Sequence, residues 1–98
     1  MKSVSEVLNA AADLLEKPGA WTQGVYHGDD DTCHCVTGAI AWVQGQRVPS
    51  ETDDAAVVAV SAQLGLKEYE ILGWNDEPGR TQAEVVAALR QAAEQADQ

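Results

Sequence analysis

The sequence predicts a mainly α-helical fold, four short helices packed around a small irregular β-hairpin in a single domain, and three observations predict it. Apolar residues recur at helical spacing in four stretches separated by Gly and Pro. A hydroxyl residue stands three positions ahead of an acid at Ser3/Glu6, Ser50/Asp53 and Thr81/Glu84, the capping-box pattern of a helix start. Between the first two helical stretches, residues 20–34 carry no helical period. There Trp21, Val25 and Tyr26 precede the polar run HGDDDT and the segment CHCV follows it, which reads as a hairpin turning at Gly28 to Thr32.

The first helix is predicted from about residue 4 to Glu16, with Val4, Val7, Leu8, Ala11, Leu14 and Leu15 on one side. Pro18 disfavours helical backbone at Lys17, and Gly19 completes the stop. A second helix is predicted over Val36 to Val43, packing closely through Gly38, Ala39 and Ala41 and ending near Gly45. The third, Ala55 through Leu64 with Gly65 as its C-cap, has the least polar surface and is the predicted centre of the core. Leu66, Tyr69, Ile71, Leu72 and Trp74 anchor the polar stretch that follows, with a helical turn at Ile71 and Leu72. Thr81 then caps the last helix, which buries Val85, Val86 and Leu89.

Composition narrows the function classes. The chain has 98 residues, 16 acids against six Lys plus Arg, a net charge of -10, and only 5% aromatics. Residues 1–50 hold three basic and six acidic groups and residues 51–98 three and ten, so the acidity is weighted to the second half. Such a balance opposes DNA or RNA backbone binding. No run reaches the roughly 18 apolar residues of a membrane span. Glu6, Asn9 and Asp13 interrupt any secretory h-region, and Cys33 and Cys35, one residue apart, build no disulfide framework; a cytoplasmic location is expected.

Two regions carry a resemblance. GAWTQG at 19–24 with CVTGAI at 35–40, and WNDEPGRT at 74–81 leading into AEVVAALRQAA, together resemble a family of small uncharacterised proteins of actinobacteria and their phages. The resemblance covers nearly the whole chain and implies a phage or prophage context. It brings no biochemistry with it.

Several residues are candidates for chemistry. In WNDEPGRT, Asn75 or Asp76 can fix a turn and Arg80 can pair with Asp76 or another acid. Alternatively Trp74, Asp76 and Arg80, with Trp21, face a protein partner, since Trp and Arg are common interface anchors. His27, Cys33 and Cys35 are soft ligands for zinc, with Asp29 or Asp31 as a fourth, although a one-residue gap between thiols is a poor match to metal-binding pairs. Reduced thiols without metal are the simpler reading. Cys35 stands where extended chain becomes helix, so it is also a candidate nucleophile, with His27 or His34 as base and Asp76 or Asn75 as orienting group. The run GDDDT has neither the length nor the terminal Glu of an EF-hand loop.

The expectation for function is a small acidic protein-interaction module that modulates a host-encoded protein, without a cofactor. A cysteine-dependent hydrolase or transferase, a zinc-stabilised module and a nucleic-acid mimic are the alternatives. The apolar third helix leaves both monomer and homodimer open, and its many small residues, which let neighbours approach closely, favour the monomer.

Overall fold

Ser3 opens the first helix by accepting the backbone N–H of Glu6 at 3.2 Å, while the Glu6 carboxylate takes the Ser3 N–H at 3.0 Å. In this computed structural model, which describes residues 2–49 and 54–96, that capping box starts α1, Val4–Glu16. The other helices are α2, Val36–Val43; α3, Ala55–Leu64; α4, Ile71–Asn75; and α5, Gln82–Ala96. A single 3-10 turn, Glu68–Glu70, leads into α4. The expected cap at Ser50 and Asp53 lies outside the described residues. Asp54 caps α3 by accepting the Ala56 N–H at 2.8 Å.

There are five helices among the described residues rather than four, because the turn expected at Ile71 and Leu72 continues to Asn75. The β-hairpin is absent: the described residues contain no strand, only isolated bridges from His34 to Trp21 and to His27. The turn itself is present, with Asp31 N–H on Gly28 O at 3.0 Å and Asp31 in left-handed backbone, φ 60°. One antiparallel rung forms across the turn, Gly28 N–H on Cys33 O at 2.8 Å and Cys35 N–H on Tyr26 O at 3.1 Å, and it goes no further because α2 begins at Val36. Beyond that rung the backbone bonds elsewhere: His34 N–H goes to Ala20 O and Thr22 N–H to His34 O, while a side chain from α4 takes Thr22 O.

The centre of the core is α1, not α3. Leu8, Ala11, Ala12 and Leu15 of α1 are wholly buried, and α1 packs against α5, α2 and α3. Helix α3 buries Ala56, Val57 and Val60 but leaves Val58 41% exposed, so its all-round apolar character does not put it inside. Arg90 of α5 ties the two longest helices together. It reaches Asn9 Oδ1 at 3.1 Å, Asp13 at 2.7 Å and Glu16 at 3.1 Å, while Gln82 satisfies the terminal carbonyls of Leu15 and Lys17.

Gly38 in α2 lets loop 20–34 approach. A Cβ there would collide with the backbone carbonyl of Tyr26. The loop therefore lies directly on α2, and this places the site.

Candidate functional site

Helix α4 delivers Asn75 into the interior, where it is wholly buried. Its Oδ1 accepts the Trp21 indole N–H at 2.8 Å and the Val36 backbone N–H at 3.1 Å. Its amide nitrogen donates to Thr22 O at 3.1 Å and to Asp76 Oδ1 at 2.9 Å. One side chain thus holds the loop, the first turn of α2 and its own neighbour, with every polar atom partnered. Two further bonds reinforce the clasp: Gln23 donates to Asn75 O at 3.0 Å, and Gly24 N–H to Asp76 Oδ1 at 2.9 Å.

The rest of WNDEPGRT folds onto itself. Arg80 lies over the Trp74 ring, 4.1 Å from its centroid, and donates from Nε to Trp74 O at 2.9 Å. Its charge partner is Glu84, at 3.2 Å. Thr81 and Glu84 complete the expected capping box at the start of α5. Trp74 packs half-buried against the core, as does Trp21. Of the four residues expected to face a partner, Trp21, Trp74 and Arg80 have these internal contacts, and Asp76 is exposed.

His27 and His34 meet each other. Their Nδ1 atoms lie 2.7 Å apart, and His27 Nε2 lies 2.7 Å from Arg47 O. A carbonyl only accepts, so His27 carries its proton on Nε2 and accepts at Nδ1; neutral His34 is then the Nδ1–H donor. Trp42 of α2 packs against both rings, with centroids 5.3 and 5.1 Å away. Burial, and then the neighbouring His27, lower the His34 pKa from its ordinary value, with Asp31 pulling the other way. Arg47 closes the cluster with a two-pronged pair to Asp31, at 2.7 and 3.0 Å.

Cys35 is the N-cap of α2, its sulfur accepting the Gly38 N–H at 3.3 Å and lying 3.5 Å from Thr37 Oγ1. Only 1% of it is exposed, and burial raises its thiol pKa above the ordinary value despite those bonds. The helix N-terminus, expected to activate this sulfur, is outweighed by loss of solvent. Cys33 is half-buried and packs against Gly28. Among the described residues, no three His, Cys, Asp or Glu side chains are grouped to hold a metal ion. The geometry explains why the proposed set does not assemble: His27 turns both nitrogens to His34 and Arg47, and Cys35 turns into the α2 cap.

Beside these clusters lies an open groove of about 540 Å³, lined by Gly24, Val25, Tyr26, His27, Cys35, Arg47, Leu72 and Asp76. Val25 is 52% exposed on its edge. Nothing in the local pattern of the sequence marked this groove, because its walls come from the loop, the segment after α2, and α4. Asn75 was legible as a turn former or as an orienting group for Cys35, not as a clasp; its partners at 21, 22 and 36 are far away in sequence.

The five helices of the described residues, closed onto a loop by one buried amide, define a small α-helical protein with a groove of mixed polarity. The chain matches a family of unknown function, DUF6197, over residues 1–95, and belongs to that family. No curated protein and no solved structure matches it.

Proposed function

We propose that this chain is an acidic protein-interaction module that takes a basic, apolar-flanked segment of a partner protein in the groove between Val25, Leu72 and Asp76. The observation that carries this reading is the joining of an exposed apolar edge, Val25, to an exposed carboxylate, Asp76, across one open concavity. Apolar contact supplies affinity in such a groove, while a fixed charge orients the ligand. The net charge of -10 supports the sign, since it draws a basic partner and repels an acidic one. Arg47, already paired with Asp31, leaves Asp76 as the groove charge that a partner's Lys or Arg meets.

Trp21, Trp74 and Arg80 act in this reading as the frame that holds the groove's walls, not as its contact surface. The partner is a host-cell protein met in the cytoplasm, consistent with the phage resemblance. No helix among the described residues is long and apolar enough to cross a membrane.

Random-peptide display on the wild-type protein, repeated on Val25→Asp, tests the proposal. Enrichment of peptides with Lys or Arg next to apolar residues is expected on the wild type, with loss on the variant. Val25 is exposed enough for the variant to fold. No enrichment, or equal selection by both proteins, overturns the reading.

A further inference from the structure

The imidazole pair has a consequence independent of any partner. His27 joins loop 20–34 to the segment after α2 through two bonds in series, His34 Nδ1–H to His27 Nδ1 and His27 Nε2–H to Arg47 O. Only the first depends on how many protons the two rings hold, because His27 keeps its Nε2–H, and with it the bond to Arg47 O, in each of these states.

In the neutral pair each nitrogen facing a partner has the right role. One added proton is compatible with the pair, because it can occupy the remaining nitrogen, His34 Nε2, and leave the Nδ1–H···Nδ1 bond intact. A second has no such place. It must sit on His27 Nδ1, where it meets the N–H of His34 across 2.7 Å with no lone pair between them. Two imidazolium ions at that distance also repel each other in a site where His34 is 1% exposed.

We propose that His27 and His34 form a proton-sensitive latch, closed when the pair holds at most one added proton and open when it holds two, whose opening parts His27, with the Arg47 carbonyl it holds, from His34 beside the groove. The groups around the pair set its balance. From the loop, Asp31 favours the protonated form of His34, and the thiols of Cys33 and Cys35 flank His34 in sequence. From the segment after α2, Arg47 brings a cation that is held by Asp31 and a carbonyl that holds His27. From α2, Trp42 offers its ring to both imidazoles, which softens the cost of a positive charge. Burial and mutual repulsion oppose protonation, so the latch is closed at neutral pH and opens on acidification.

Opening is local. Helices α1 and α5 are joined by their own core and by Arg90, with no contribution from the imidazole pair.

An NMR titration of the whole chain from pH 7.5 to pH 5 tests the proposal, following imidazole protons and backbone amides together. The two rings are expected to titrate as a coupled pair in two steps. Amides of Arg47, Val48 and residues 28–34 are expected to move with the second step while those of α1 and α5 stay in place. In His27→Gln the movement at Arg47 and Val48 in this range is expected to disappear. Imidazole titration with unmoved Arg47 and Val48 amides overturns the latch. Loss of helical circular dichroism along with the titration overturns it too, since the change would then be global. If the variant does not fold, the wild-type titration decides alone.

Discussion

The Asn75 side-chain oxygen accepts the Trp21 indole N–H at 2.8 Å, bridging 54 positions of sequence, and accepts the Val36 N–H at the same time. That pairing joins the two regions that carry the family resemblance, and it fixes the loop whose outer surface forms one wall of the groove. The segment WNDEPGRT is thus a clasp first, with Asp76 as the one of its charges exposed at the groove.

Asn75→Ala removes four hydrogen bonds and leaves two buried donors and one buried acceptor without partners. Each buried orphan costs about 1–3 kcal/mol, so the variant is expected to lose on the order of 3 kcal/mol or more in urea unfolding. Trp21→Phe breaks only one of these bonds but orphans the Asn75 oxygen less completely, and a loss of about 1 kcal/mol is expected. Equal midpoints for Asn75→Ala and wild type would remove the clasp.

Two glycine substitutions separate close packing from backbone freedom. Gly38→Ala drives a methyl group into the Tyr26 carbonyl, and overpacking of that kind costs about 1–3 kcal/mol. Gly73→Ala meets no atom within 4 Å in α4, so it is expected to gain about 0.5–1 kcal/mol from helix propensity. Thermal unfolding of both variants beside wild type checks the opposite signs.

The thiols differ in reach. Under native conditions Cys33, half-buried, is expected to react with a disulfide reagent well before Cys35, whose thiol is buried and whose pKa is raised. In urea both should react alike. A fast Cys35 in the folded protein would revive its role as a nucleophile.

Stability is expected to fall on both sides of neutrality, for different groups. His34 has a lowered folded pKa, so the unfolded chain binds its proton first; stability is complete above pH 6.5 and falls as pH drops below it. Glu6, Glu84, Asp30 and Asp31 also have lowered pKa values, through bonds to Ser3, Thr81, Thr32 and Arg47 in that order. Their contributions persist to lower pH and fade below about pH 4.5. Cys35 acts oppositely: the unfolded thiol ionises first, so stability declines as pH rises beyond 9.0. Chemical denaturation across this range checks the sequence of events, and a flat profile between pH 7 and 5 would contradict the His34 contribution.

What the sequence made legible was local. The extents of α1, α2 and α3 and the caps at Ser3, Thr81 and Gly65 follow from apolar spacing and from side chains that bond within a few residues. The hairpin was misread because apolar residues without helical period on both sides of a turn suit a strand pair, yet how far a ladder runs depends on what else claims the backbone. Here Asn75 takes Thr22 O, and α2 begins at Val36, directly after the single rung across the turn. Helix α4, with five residues, is too short to show a period. The two histidines were visible as alternative bases beside nearby thiols, but their pairing and the direction of each ring depended on Arg47 and Trp42 from beyond the loop. Those contacts are tertiary.

The groove is tested most directly by amide shift mapping with a display-selected basic peptide bound to the wild-type protein. The expected shifts gather at Gly24, Val25, His27, Leu72 and Asp76, and disappear with Val25→Asp. Shifts gathered instead on α3 and Tyr69, with the groove unmoved, would contradict the assignment.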